Sequence, residues 1–585
     1  MPKQIFFQLV LMTALIVLTK TMAMFFDAKP APPSKPKIIS REEWGAKPPK
    51  CEYSRHPYYN AITIHHTATS NDYKDSFEVV RNIQVFHQDS RGWCDIGYHY
   101  LIDREGRIFE GRPVWAVGAH VKNHNTGNIG ISIIGNFEER EPNEKELNSL
   151  VNLVAWLVYQ YNIPLGNIKG HRDYSNTLCP GKYLYQKLPE IRRKVGSKVF
   201  GFGDGFGTAA WWGVYSDYWS SNEEEWKRQV DETLKKLSEA GVKTVFFLAK
   251  DPWGYVYYKS EIVPLSPKYS WDPLAYIVSK AKDYNISVHV YVNVFSEGEL
   301  QPDEYLEKHI DWAIRDSEGN PIGWVDPAVD EYVERFMAIV REIVTKYDID
   351  GIQLDRIRLS GKASHLPVAS IKFKEKYGVT PDQAPDKWAD YKRFLVSRVV
   401  KKVYEEVKSL NPAIRVSAAV MADIDVAKNT FYQDWGEWLK TGYVDFIVLM
   451  SYTEDIERFK RLIEKSVAAT GNVRPIYAGI GSYRETVNTK IMEEEMKEAF
   501  KREGIYGVVF FNVDSLLKND DKRMVVKTTL EKLKFKGTAE STEEGPPEVL
   551  KTYAIIGILF LLAATLAFLL KITKRFPRRR RGSIR

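Results

Sequence analysis

Apolar and polar positions follow two different periods along this chain of 585 residues. In "NAITIHHTATS", residues 60–70, the period is two: Ile62, Ile64 and His66 fall on one face of a strand, Thr63, His65 and Thr67 on the other. His65 therefore shares the polar face, and His66 reads as a packed core histidine. "DIGYHYLIDREGRIFEG", 95–111, predicts a second strand with Tyr98 and Tyr100 on one face, His99 on the other and a hairpin turn at "DREG". The period changes to that of a helix in "ELNSLVNLVAWLVYQYN", 146–162, where Leu147, Leu150, Val151, Leu153, Val154, Leu157 and Val158 form a core-facing stripe. Further on, eight strand-like segments ("AWWGVYSD", "TVFFLAK", "ISVHVYVNVF", "DGIQLDRIR", "IRVSAAVMAD", "DFIVLMSY", "RPIYAGIG", "GVVFFNVDS") alternate with amphipathic stretches such as "DEYVERFMAIVREIVTKY". That alternation predicts a closed (β/α)8, TIM-like barrel and an α/β chain overall.

At the two ends the pattern is continuously apolar. "YAIIGILFLLAATLAFLL", 553–570, carries no charge and predicts a transmembrane helix over 552–571. The flank before it is acidic and the tail 572–585 basic, which places the C-terminus in the cytoplasm and the preceding chain outside. Residues 1–23 have the layout of a signal peptide, with an uncleaved anchor as the alternative. The expected location is the cell membrane, single-pass, with the main domains extracytoplasmic. Pro-rich "AKPAPPSKPK" (within a linker over 24–39) and acidic "GTAESTEEGPPE" (within a linker over 536–551) bound the folded part. A glycine-punctuated break at 196–207 divides it into domains over 40–198 and 205–535.

Charge adds little beyond the tail. The formal net charge is +7, but eight basic residues and no acid occupy the last fifteen positions, so the remainder is nearly neutral and gives no reason to expect a nucleic-acid partner.

Candidate chemistry is concentrated in "GHRDYSNTLCPG", 170–181. His171 and Cys179 around a polar loop, together with His65, supply three ligands for Zn2+, which takes imidazole and thiolate together. Zinc polarises a carbonyl and activates water, chemistry suited to amide hydrolysis. In the barrel, Asp355 ends the fourth strand, where such folds place their reacting groups. Other acids at comparable positions are Glu297, Asp423, Asp425 and Asp514; a glycosidase needs two carboxyl groups, and the partner of Asp355 stays open between Asp423 and Asp425, either of which alternatively caps a helix. Trp211, Trp212, Tyr215, Trp253 and Tyr255 are candidate sugar-stacking platforms, with rim packing the alternative.

"SREEWGAKPP", "AITIHHTATS", "GWCDIGYHYLIDREGRIFEGRP", "VGAHVKNHNTGNIGISIIGNF" and "GHRDYSNTLCPG" closely resemble, in order, the zinc-dependent N-acetylmuramoyl-L-alanine amidases and peptidoglycan recognition proteins. The resemblance covers nearly all of 40–190. It implies a mixed β-sheet flanked by helices, zinc held by His65, His171 and Cys179, Tyr98 and Thr177 assisting at the substrate carbonyl, with Tyr98 helping to orient or activate the attacking water, and His120 lining the peptide groove. Phage members carry Lys at the Thr177 position, where this chain departs from them. With Cys179 assigned to the metal, Cys51 and Cys94 remain, and an exported setting predicts a disulfide between them, against the alternative of two buried thiols. "WVDPAVDEYVERFMAIVREIVTKYDIDGIQLDRIRL" and "YQDWGEWLKTGYVDFIVLMSYTED" resemble glycosyl-hydrolase-like barrels of bacterial envelope proteins, some of which act on glycan stripped of its stem peptides; Asp355 matches their acid.

The expected function is thus a membrane-anchored peptidoglycan hydrolase, cleaving the amide between N-acetylmuramic acid and L-alanine and then the denuded glycan. The alternatives are a single-activity amidase with a glycan-binding barrel and a receptor without turnover.

Overall fold

Six strands and eight strands make two separate sheet systems in the structure, a computed structural model that describes residues 33–201 and 206–539. The first sheet comprises β1 (Ile38–Ile39), β2 (Ala61–His66), β3 (Tyr100–Ile102), β4 (Ile108–Glu110), β5 (Asn128–Ile133) and β6 (Ile168–Gly170), in the order β1-β4-β3-β5-β2-β6. Only the β3–β4 pair is antiparallel, so the sheet is mixed. Its hairpin turn forms because the Asp103 carboxylate accepts the N–H groups of Glu105 and Arg107, while Gly106 takes the positive φ of +77° that the turn requires. The strand expected over 95–111 begins only at Tyr100. The chain bends at Asp95, whose carboxylate accepts the Ile96 N–H, and Tyr98 and His99 therefore precede β3.

The amphipathic stretch at 146–162 is a helix over Glu144–Tyr161, opened by a capping box between Asn143 and Glu146. Leu147, expected in its buried stripe, is only half-buried, and Glu146 is buried instead, held by Arg140 at 2.6 Å. On the other side of the sheet, Trp44, Val80, Ile83, Ile96, Leu101, Phe109 and Ile134 form one apolar cluster.

Cys51 and Cys94 form a disulfide that ties the segment before β2 to "GWCD", closing 43 residues of sequence. A loop of that length makes the bond worth about 2–4 kcal/mol. Replacing both cysteines by alanine is expected to lower the unfolding free energy of this domain by that amount in urea titrations, with no change under reducing conditions.

The barrel strands are β7 (Gly207–Trp212), β8 (Thr244–Lys250), β9 (Ser287–Asn293), β12 (Gly351–Asp355), β13 (Arg415–Met421), β14 (Phe446–Met450), β15 (Ile476–Ile480) and β16 (Ile505–Phe511). All pair in parallel and β16 closes on β7, so the eight segments read from the sequence are the eight staves. A short antiparallel hairpin, β10 (Ala313–Arg315) and β11 (Pro321–Val325), is inserted between β9 and β12.

The first domain is seated on the N-terminal ends of the barrel strands. Ahead of β15, Asn472 O accepts the Gly166 N–H at 2.9 Å and Arg474 reaches Asn162 Oδ1 at 2.9 Å. Ahead of β16, Glu503 pairs with Arg192, and Phe500 O accepts from Arg193 at 2.8 Å. Gly196, in the helix Leu188–Val199, lies against Tyr506, and a Cβ there would come within 2.4 Å of the ring. The C-terminal mouth of the barrel stays open.

In the helix Thr489–Lys501, Glu495 is fully buried with neither carboxylate oxygen hydrogen-bonded, and burial pushes its carboxyl up to about 9. The folded chain thus keeps a proton that the unfolded chain releases above its ordinary value of 4.5. Stability is therefore expected to fall as pH rises from about 5 towards 9, and Glu495→Gln to flatten that slope in thermal melts across this window.

Among the described residues no helix is long and apolar enough to cross a membrane. The segments 1–23 and 552–585 lie outside the described residues.

Candidate functional site

Parallel pairing brings the two histidines together. β2 pairs with β6 so that Ile64 faces Gly170, which sets His65 at the end of one strand beside His171 just beyond the other. Their rings are 4.6 Å apart. The loop after His171 then folds back: Cys179 O accepts the Arg172 N–H at 2.9 Å, and Arg172 also donates to Leu178 O and pairs with Glu138. Cys179 Sγ comes to 3.5 Å from His65 Nδ1, and one ligand atom from each of His65, His171 and Cys179 lies within 4.8 Å of the others. A tetrahedral zinc at ordinary bond lengths sets a nitrogen and a sulfur about 3.5 Å apart. The donor set fits that ion.

The tautomer of His65 is fixed from behind. His120 Nε2 faces Asn128 O at 3.1 Å, and a carbonyl only accepts, so the Nε2 of His120 carries the proton and its Nδ1 is an acceptor. That Nδ1 is 3.1 Å from His65 Nε2, which must donate, leaving the Nδ1 lone pair of His65 directed at the Cys179 side. Burial holds both rings neutral, well below the usual imidazole range. It also lowers His171, and it pushes the metal-free Cys179 thiol up to about 12. His66 points away, its Nδ1 accepting the Phe137 N–H at 3.2 Å, as strand alternation requires.

Tyr98 is half-buried with its ring 5.2 Å from that of His65, and burial followed by the neighbouring Cys179 raises its phenol. Thr177 lies in the returning loop and its hydroxyl accepts the Cys179 N–H at 3.3 Å.

A second concavity occupies the barrel mouth, a cavity of about 190 Å³. Asp355 ends β12 opposite Asn293 of β9, and both line it. The Asn293 amide donates to Lys250 O, while its carbonyl oxygen is buried without a partner. Tyr215 and Trp253, 41% and 44% exposed, meet edge to face at 5.6 Å on the rim, a surface suited to a sugar face.

Residues 55–182 match the family model described as N-acetylmuramoyl-L-alanine amidase, and residues 212–498 match glycosyl hydrolase-like 10. Peptidoglycan recognition protein 1 of Bos taurus is 37% identical over 163 residues, 27% of this chain and 86% of that protein. Peptidoglycan-recognition protein SC2 of Drosophila simulans is 34% identical over 154 residues, 26% of this chain and 84% of the relative. The chain belongs to the peptidoglycan recognition protein and amidase family, with a glycosyl hydrolase-like domain joined to it. Among solved structures, the amidase LysCS from Clostridium intestinale is 32% identical, covering 27% of this chain and 95% of that one, with a TM-score of 0.24.

Several candidate residues fall elsewhere than the sequence suggests. His120 is only 7% exposed, its ring edge-on to that of His65 and hydrogen-bonded to it, and so does not present an open groove wall. Trp212 is buried against Trp219 and Phe247, on the face of β7 opposite to Trp211, and Trp211, though it lines the mouth, is only 3% exposed, its indole N–H anchored on Gln353. Glu297 turns inward, fully buried on Lys250 at 3.1 Å and on the Tyr332 hydroxyl at 2.8 Å. Asp423 caps the helix Ile424–Asn429 and pairs with Lys465, as does Asp425; Asp514 accepts from Ser216 and Trp219. None of these four acids lines the mouth with Asp355. The second carboxylate that does is Glu299, two positions past Glu297 and paired with Arg356. Only the bend after β9 distinguishes the two glutamates, and no period in the sequence signals it.

Proposed function

We propose that this protein is a two-step peptidoglycan hydrolase whose amidase domain cleaves the bond between N-acetylmuramic acid and L-alanine and whose barrel cleaves the resulting bare glycan. The convergence of His65, His171 and Cys179, with the tautomer of His65 locked, carries the first half of that reading. These three residues would hold Zn2+, which supplies Lewis acidity at an amide carbonyl and a stronger water nucleophile at neutral pH.

The chain's own groups then have separate tasks. His120 keeps the His65 Nδ1 free of a proton. Tyr98, its phenol held protonated by burial, is placed to donate a hydrogen bond beside the cluster, where negative charge develops on the carbonyl oxygen. Thr177 fixes the Cys179 backbone from within the loop. In the barrel, Asp355 and Glu299 are the two carboxyl groups that glycosidic cleavage needs. We also assign the apolar segment 553–570 as the membrane anchor, with both domains outside the cell.

The test is mass spectrometry of purified peptidoglycan treated with the zinc-loaded chain. Free stem peptides and shortened, peptide-free glycans are expected. Peptides with full-length glycans would reduce the barrel to a binding scaffold; no products would leave a receptor.

His120→Phe removes the acceptor behind His65 while filling its space. Affinity for Zn2+ is expected to fall about 10–100-fold in chelator competition, and the melting temperature to fall by a few degrees, because the buried His65 Nε2–H is left without an acceptor.

A further inference from the structure

Beside the barrel mouth lies a second hollow of about 470 Å³, and it is basic. Met450, which ends β14, and Tyr452 just beyond it line both hollows, so the two lie side by side and share a wall. Its wall is the helix Ile456–Thr470, on which Arg458, Arg461 and Lys465 succeed one another at intervals of three and four residues and so share one face. Lys465 is neutralised by Asp423 at 2.9 Å and Asp425 at 2.7 Å. Arg461 reaches Asp455 only at 4.0 Å, and the Arg458 guanidinium has no hydrogen bond or ion pair among the described residues. Two guanidinium groups therefore face a hollow in which Asp423 is the one acidic lining residue, and that one is already paired.

The chemistry of the first domain identifies an anion for them. Hydrolysis of the amide breaks the C–N bond: the hydroxyl of water joins the lactyl carbonyl carbon, its remaining proton goes to the departing amine of L-alanine, and the acid so formed ionises at neutral pH. Every muramic acid that the amidase strips thus gains a carboxylate where a neutral amide had been. We infer that the Arg458–Arg461 hollow is a subsite for this lactyl carboxylate, so that the barrel selects glycan on which the amidase has already acted. The inference rests on the reading that the barrel handles glycan. Guanidinium forks match a carboxylate with paired hydrogen bonds, whereas a neutral amide at the same position offers them one weaker acceptor.

The test uses the full chain carrying Cys179→Ser, so that no amide is cut during the assay. Two substrates are compared: peptide-free glycan strands with free lactyl carboxylates, and the same strands with those groups coupled to methylamine, a cap too small to act by bulk. The parent is expected to prefer the free acid in kcat/KM by roughly tenfold or more, about the value of one charge-assisted contact. Arg458→Gln with Arg461→Gln is expected to bring that ratio to about one. Equal cleavage of both glycans by the parent, or an undiminished ratio in the double variant, would overturn the subsite. Should neither glycan be cleaved, the glycosidase reading fails separately. Binding of the two glycans to the parent chain then decides the subsite: a preference for the free acid that the double variant loses upholds it, and equal or absent binding ends it.

Discussion

Cys179→Ser is expected to stop release of stem peptides from peptidoglycan, by more than about 100-fold, while shortening of peptide-free glycan by the same chain continues unchanged. The size follows from comparison: loss of an outer partner of a metal ligand already costs about 10–100-fold, and here a ligand itself is removed. A serine hydroxyl does not ionise near neutral pH and is a poor replacement for thiolate at zinc. The fold around it should survive, because the backbone carbonyl of residue 179, not its sulfur, accepts the Arg172 N–H. Metal analysis of the purified variant separates the cause from misfolding: zinc well below one equivalent with an unchanged melting temperature is the expected pair of results. Full zinc and full peptide release would remove Cys179 from the site.

Asp355→Asn is expected to have the converse effect, suppressing glycan shortening by about 10²–10⁴-fold with peptide release intact, since general acid–base groups contribute on that order. The Asp355 carboxylate accepts the neighbouring Arg356 N–H at 2.8 Å, a bond that an asparagine carbonyl reproduces, so stability should change by less than about 1 kcal/mol. Glu299→Gln should match it in product analysis. If Glu299→Gln leaves glycan cleavage at the parental rate, the carboxyl pair has been assigned wrongly, even if Asp355 stands.

What the sequence made legible followed from local period. Strand alternation separates His65 from His66, and the structure turns them to opposite sides for that reason. Six of the eight barrel segments contain their strand; "GVVFFNVDS" starts inside β16, at Gly507, and "AWWGVYSD" shares only Ala210–Trp212 with β7, which begins at Gly207 where small residues hide the alternation. What escaped was whatever depends on how the chain turns after a strand ends. Glu297 and Glu299 are chemically identical in sequence terms, yet the bend after β9 sends one into a buried ion pair with Lys250 and the other to the mouth. His120 sits in a loop, and only the pairing of β2 with β5 brings that loop behind His65. Nothing in the sequence singles out Arg458 and Arg461, and only the folding of the chain beyond β14 sets their hollow beside the mouth.

The seating of the amidase domain has a consequence for traffic between the two activities. Contacts run from Asn162 and Gly166, ahead of β6, to the loop ahead of β15, and from Arg192 and Arg193 to the loop ahead of β16, whereas His65 and Asp355 both stand at the C-terminal ends of their strands. The seam therefore lies at the opposite ends of the barrel strands from Asp355. A glycan stripped by one molecule gains nothing from that contact in reaching its own barrel, and a neighbour's barrel has as good a claim on it.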